Sequence, residues 1–324
     1  MNPLKSTLLI VMLLICCTAY SFAQDADKIG NVDIPDGVTV IPDIAYRNGT
    51  DAWKLDLAMP TERGTEPRPA ILFIHGGGWA NGSKRIPPFL QPTIEYAAKG
   101  YVTATVEYRL TGEAPLPACV EDVKCAVRWL RANAEKYNVN PDRIGAYGNS
   151  AGAHLVAMLG LCPPSAGLEG DGPYQEYSSM IQAVVCAATP SDYISEANLR
   201  RRPQPNAQQN QQTTQRPRSG IGGQTAELRK KLSPITYVNA DAPPFLIIHD
   251  ASDTTVPVRH GDTLYKGLQD AGAKNVNYLR FDQGFGHGVF ERNSTVTYKA
   301  REEFFNWVLK EGAKPKAQPR RRAQ

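Results

Sequence analysis

Histidine is scarce in this chain, five residues in 324. Any proton transfer near neutral pH therefore has few side chains to use. Cysteine is scarce as well. Of six, Cys16 and Cys17 fall in the N-terminal apolar run, which leaves Cys119, Cys125, Cys162 and Cys186. Their spacing matches no zinc pattern. In an oxidising compartment four cysteines allow three full pairings. Cys119 and Cys125, if they share a helix, stand about 9 Å apart along its axis. A disulfide tolerates only ~7 Å between Cα atoms. The settings of all four are apolar and fit buried thiols. Beyond the N-terminus no apolar run is long enough to span a bilayer, so no stable membrane insertion is expected. No basic stretch is interleaved with aromatics on an ordered element, which argues against nucleic acid as a partner. The net charge of +4 is local in origin, from Arg200, Arg201, Arg202, Arg216 and Arg218 in one stretch and from Lys314, Lys316, Arg320, Arg321 and Arg322 in the tail. No internal repeat is present.

What is there begins with a leader. Lys5 precedes an apolar run over 8–17, and Ser21-Phe22-Ala23 offers a small-x-small cleavage site. These features mark a secretory signal peptide over 1–23, cut after Ala23, and a secreted or periplasmic protein. Cys16 and Cys17 raise a lipoprotein alternative. Ile15 and Cys16, which precede them, are not the small residues a lipidation site wants.

The hydrophobic content of 42% is ordinary for a globular chain. Strands are expected over 38–46 and 53–59, joined around Asn48-Gly49, then over 70–74, 101–106, 143–147, 182–189, 244–249 and 276–281. Helices are expected over 89–99, from Pro117 through Tyr137, over 151–161, 226–232 and 259–271, and over 295–309. Alternating strands and helices imply an eight-stranded, mostly parallel sheet with helices on both faces, the first two strands antiparallel. One domain over 24–312 accounts for them. Residues 198–223 are rich in Arg, Pro, Gln and Asn. Such a segment buries too little surface to offset its ordering entropy, so it reads as a disordered insertion. The tail over 313–324 is basic and reads the same way. Asn48-Gly49-Thr50, Asn81-Gly82-Ser83 and Asn293-Ser294-Thr295 fit the glycosylation sequon, as chance matches unless the source glycosylates.

Gly148-Asn149-Ser150-Ala151-Gly152 is a G-x-S-x-G pattern between an expected strand and an expected helix. A serine on so sharp a turn is held in a strained conformation with its hydroxyl exposed above the sheet. The following helix adds N–H donors and a positive dipole end. Serine needs a base, and the base needs an orienting group. Both belong on loops at the carboxyl edge of the sheet. Among the histidines, His75 shapes a glycine loop, and His154 packs on the helix after Ser150. His249 is buried at a strand end, and His260 belongs on a helix surface. His287, in Gly284-Phe285-Gly286-His287-Gly288, follows the last strand and is the best base. The preceding loop supplies two carboxylates, Asp250 and Asp253, in the order Ser…Asp…His. Asp192 reads as a turn cap. His75-Gly76-Gly77-Gly78 follows an early strand, where bare backbone N–H groups, with that of Ala151, form a three-donor oxyanion hole.

These motifs, with Trp79, Tyr108-Arg109-Leu110, Glu121-Asp122-Val123-Lys124, Ala126-Val127-Arg128-Trp129-Leu130 and Val256-Pro257, resemble an α/β-hydrolase of the carboxylesterase and hormone-sensitive-lipase-like group. The chain is similar over about 38–310 to bacterial secreted esterases of the feruloyl and acetyl-xylan esterase kind. The resemblance implies Ser150 as nucleophile, His287 as base and Asp253 as orienter. It implies Gly77, Gly78 and Ala151 as oxyanion donors, with no metal and no cofactor. The implied substrate is a short acyl or aryl ester, small or linked to plant polysaccharide. A serine peptidase or formamidase on the same fold is an alternative, and a non-catalytic binding protein is another. Two departures stand out. Relatives usually carry His-Gly where this chain has His249-Asp250, and the segment after Asp192 is unusually polar. Asp250 is expected to be solvated or to cap a turn.

Overall fold

A computed structural model of the chain describes residues 27–195, 221 and 224–312. The leader expected over 1–23 and the tail over 313–324 lie outside the described residues. So does the insertion over 198–223, apart from Ile221. That residue is fully buried in the core.

The strands are β1 (Lys28–Ile29), β2 (Val32–Asp33), β3 (Val38–Ala45), β4 (Lys54–Pro60), β5 (Arg68–Ile74), β6 (Val102–Val106), β7 (Val139–Asn149), β8 (Ala183–Ala187), β9 (Phe245–Asp250) and β10 (Val276–Phe281). β1 and β2 form a small ribbon, and the other eight form one sheet in the order β10-β9-β8-β7-β5-β6-β4-β3. All neighbours from β10 to β6 are parallel. β4 runs against both β3 and β6. The expected architecture is therefore the observed one.

The continuous apolar run of β5 explains its central place. Parallel strands need cover on both faces, and period-two alternation sends neighbouring side chains to opposite sides. Leu72 and Ile74 join one core with Val123, Val127, Val156 and Leu264. Ile71 and Phe73 join the other with Tyr96, Tyr147 and Phe305. The helices that supply these residues are α1 (Pro87–Ala98), α2 (Ala118–Ala132), α3 (Ala151–Leu161), α4 (Arg259–Asp270) and α5 (Ser294–Phe305). α2, α3 and α4 cover the first face; α1 and α5 cover the second.

Three elements differ from expectation. The helix opened at Pro117 breaks at Asn133 (φ −105°, ψ 17°) into α2 and one turn, Ala134–Tyr137. The Asn133 side-chain amide donates to Trp129 O at 2.9 Å, the local competition that makes Asn a poor helix-interior residue. The closing helix ends at Phe305 and continues as a wider π-type turn, Asn306–Lys310. There Asn306 Oδ1 accepts from Tyr101 Oη at 2.9 Å. β3 and β4 are joined through a 3-10 turn, Asp51–Trp53, that follows the Asn48-Gly49 pair.

At the junction of β7 and α3 the backbone segments pack closely. A Cβ on Gly152 would stand 2.1 Å from Ile74 O and 2.6 Å from His75 O. A Cβ on Gly148 would stand 2.4 Å from Gly152 C. Backbone obstructs both positions, so no side-chain movement relieves the clash. Gly152→Ala is expected to lower stability by ~3 kcal/mol or more, the upper end of overpacking costs. A urea midpoint equal to that of the wild type would refute this.

Candidate active site

β7 ends at Asn149, and the chain reverses at Ser150 with φ 52° and ψ −122°. A non-glycine residue at positive φ is costly and persists only where its surroundings fix it. Here the Ser150 N–H donates to Ala187 O at the end of β8 at 2.9 Å. Its carbonyl accepts from His154 N at 3.1 Å and starts α3. The hydroxyl is thereby lifted above the carboxyl edge of the sheet.

The loop after β10 brings His287 to that hydroxyl. Nε2 lies 3.0 Å from Ser150 Oγ, and Nδ1 lies 2.8 Å from Asp253 Oδ2. His287 sits in a 3-10 turn, Gly286–Gly288, with its side chain 32% exposed. The Asp253 side chain is fully buried. Its Oδ1 accepts the N–H groups of Thr255 and Val256, both at 2.9 Å. Burial alone would raise its pKa, but the contacts of His249 and His287 and the Val256 N–H outweigh that and hold the carboxyl well below its usual range. An ionised carboxylate thus faces the imidazole. The structure joins the serine, histidine and aspartate singled out by the motifs into one hydrogen-bonded chain.

Asp250 is not solvated. It is fully buried. Its Oδ1 accepts from the N–H and hydroxyl of Ser252 at 2.8 and 2.5 Å and from the Gly286 N–H at 3.1 Å. Its Oδ2 accepts from the Phe285 N–H at 3.3 Å. The turn-capping half of the expectation holds, and the exposed half fails because β10 carries its loop back across the end of β9. Among the described residues no hydrogen bond joins Asp250 to His287.

The glycine loop after β5 lies against the serine turn. A Cβ on Gly76 would meet Asn149 Oδ1 at 2.6 Å and Ser150 Cβ at 3.4 Å. Gly77 (φ 117°) and Gly78 (φ 63°) are exposed at positive φ. His75 shapes this loop. Its Nδ1 lies 2.8 Å from Gly76 O and its Nε2 3.3 Å from Glu107 Oε1, while Tyr108 Oη donates to His75 O at 2.8 Å.

The other candidates are structural. His154 is fully buried. Its Nε2 donates to Leu232 O at 2.7 Å and its Nδ1 accepts from Trp79 Nε1 at 3.2 Å. His249 is buried, with Nε2 2.8 Å from Val256 O and 3.4 Å from Asp253 Oδ2. His260 corrects the expectation of a surface residue. It is 3% exposed, and its Nδ1 accepts the N–H groups of Ser191 and Asp192, each at 3.2 Å. The loop after β8, remote in sequence, covers it. Asp192 caps the next turn through the N–H groups of Ile194 and Ser195, both at 2.9 Å. All four cysteines are buried free thiols, with Cys119 and Cys125 both on α2. Glu107 and Glu291 gave no signal in the sequence. Glu291 Oε1 accepts from Asn149 Nδ2 at 3.2 Å and so braces the serine turn. Among the described residues no helix is long and apolar enough to cross a membrane.

The BD-FAE family profile matches residues 55–268. Esterase LipC of Mycobacterium tuberculosis is 30% identical over 240 residues, 73% of this chain and 57% of that protein. The chain spans little more than half the length of the curated relatives it matches. Among solved structures, a truncated carbohydrate esterase from gut microbiota superposes with a TM-score of 0.66 at 26% identity, over 83% of this chain and 95% of that one. Esterase 2 of Thermogutta terrifontis, phosphoramylated by tabun, superposes with a TM-score of 0.66 at 27% identity, over 88% and 98%.

Burial lowers the pKa of His154 to about 4, partly opposed by its bond to Leu232 O. A free imidazole titrates near ~6.5. The unfolded chain therefore takes up a proton that the native state refuses until about 4. Stability should fall as pH drops from ~6.5 towards 4, by about 3 kcal/mol from this residue. His154→Gln cannot titrate, so its stability should fall less steeply over that window. Denaturant titrations at several pH values check this. Parallel profiles for variant and wild type would refute it.

Proposed function

The chain belongs to the BD-FAE family of α/β-hydrolases, and on that premise we propose that it is a serine esterase hydrolysing short acyl or aryl esters of carboxylic acids. The observation that carries the reading is the relay Ser150 Oγ to His287 Nε2 at 3.0 Å and His287 Nδ1 to Asp253 at 2.8 Å, set on a positive-φ serine. The esterases among its relatives and structural neighbours support it.

In this reading His287 Nε2 takes the hydroxyl proton as Ser150 Oγ attacks the ester carbonyl. Asp253 holds Nδ1–H and stabilises the imidazolium that forms. The N–H groups of Gly77, Gly78 and Ala151 receive the tetrahedral oxyanion. His287 then protonates the departing alkoxide or phenoxide, leaving an acyl group on Ser150. Water attacks that acyl group with His287 again as base, and the carboxylic acid leaves. A polysaccharide-linked ester is the favoured natural substrate, supported by the carbohydrate esterase among the neighbours. The leader over 1–23 supports export, and N-terminal sequencing of the exported protein should begin at Gln24.

Ser150→Ala should cut hydrolysis of p-nitrophenyl acetate at least about a thousandfold and leave the far-UV circular dichroism unchanged. A variant keeping a third of wild-type turnover removes Ser150 as nucleophile. Acetyl, butyryl and feruloyl esters should be turned over faster than matched amides; the reverse order favours a peptidase or formamidase. A wild type inert to all of them favours a binding protein.

Asp253→Asn preserves shape but allows the wrong imidazole tautomer. In a well-studied protease that change costs on the order of ten-thousandfold. Turnover of Asp253→Asn above a tenth of wild type would show that another group orients His287.

A further inference from the structure

β9 and β10 are paired in parallel up to Asp250 and Phe281, where the ladder ends. The chain then runs unpaired to His287. Gly284 (φ 77°) and Gly286 (φ 61°) sit in that stretch at left-handed backbone angles. Glycine adds conformational freedom on each side of Phe285. Yet His287 must meet two partners at once, Ser150 at 3.0 Å and Asp253 at 2.8 Å. Asp253 grips only the imidazole. Something must grip the backbone.

We propose that Asp250 is a positioning residue of the reaction, its carboxylate clamping the backbone of Phe285 and Gly286 so that His287 stays in register with Ser150 and Asp253. The inference rests on the esterase reading above. Both carboxylate oxygens take part. Oδ2 accepts from Phe285 N at 3.3 Å and Oδ1 from Gly286 N at 3.1 Å. Ser252 Oγ, itself held by Asp250 at 2.5 Å, is a second acceptor for Gly286 N at 3.1 Å. From the opposite side Arg292 donates to Phe285 O at 3.0 Å. The two residues immediately before His287 are thus held from both flanks.

The charge on Asp250 is hard to account for by packing alone. The side chain is fully buried, and among the described residues no Lys or Arg bonds or pairs with it. Burying an unpaired carboxylate is expensive unless several donors satisfy it. Here the donors are the N–H and hydroxyl of Ser252 and the N–H groups of Phe285 and Gly286. Two of these four belong to the histidine loop. Bonds to an ionised acceptor are stronger than neutral ones, so the loop is held more stiffly than a neutral residue would hold it. Displacing a reacting group by about 1 Å can cost on the order of a hundredfold.

Three variants test the clamp, with kcat expressed per serine labelled to completion by a fluorophosphonate. Counting labelled sites separates slow turnover from misfolded protein. Asp250→Ala removes both acceptors and should lower kcat per site about thirtyfold, with KM changed less than about twofold. Asp250→Asn keeps Oδ1 for Gly286 but offers an amide nitrogen to Phe285 N–H, and should lose about fivefold. Ser252→Ala should lose about threefold. If Asp250→Ala does not fold, the other two carry the test. An unchanged kcat per site in the variants that fold overturns the proposal, as does a loss confined to KM or to the number of labelled sites. These results count against the clamp alone when the wild type hydrolyses esters and labels at Ser150. A wild type that does neither overturns the esterase reading and this inference with it.

Discussion

The close approach of α3 to the end of β5 is the constraint on which the site depends. Ile74 O and His75 O occupy the space where a Gly152 side chain would begin. That contact places the first turn of α3 beside the glycine loop and forces the reversal at Ser150. Because β5 and β7 are neighbours in the sheet, the glycine loop and the serine turn leave the same edge side by side. The strained φ of Ser150 is thus a result of sheet order and two missing side chains. Its own hydrogen bonds to Ala187 and His154 lock a geometry that the backbone contact already imposes.

Around that junction the molecule uses carboxylates in three settings. Asp253 is buried and receives two backbone N–H groups and the imidazole. Asp250 is buried and receives only uncharged donors. Glu107 and Glu291 are partly exposed and brace His75 and Asn149. The site is therefore supported by groups at or after the ends of three strands, β6, β9 and β10.

Much of this was legible in the chain. The apolar run 70–74 identified β5, and the G-x-S-x-G and glycine-loop motifs located the serine turn and its neighbour. Scarcity helped with histidine, since the loop position of His287 separated it from four others. What was not legible depended on partners far away in sequence. His260 has the local setting of a surface residue and is covered by Ser191 and Asp192. Asp250 looked exposed because nothing near it in sequence shows that residues 285 and 286 return to it. The break at Asn133 was missed because the apolar period runs unbroken to Tyr137, whose ring still packs on Trp129 at 5.6 Å.

The order of the strands also sets a sequence in time. Ser150 is made 137 residues before the histidine it meets, and Asp253 34 residues before. During synthesis the glycine loop after β5 emerges first, the serine turn after β7 next, and the imidazole last, from the loop after β10. A nascent chain halted between residues 150 and 287 carries Ser150 without the imidazole that stands 3.0 Å from its hydroxyl. The hydrogen-bonded chain of Ser150, His287 and Asp253 therefore closes only once the segment after β10 has been made, however early its serine is in place.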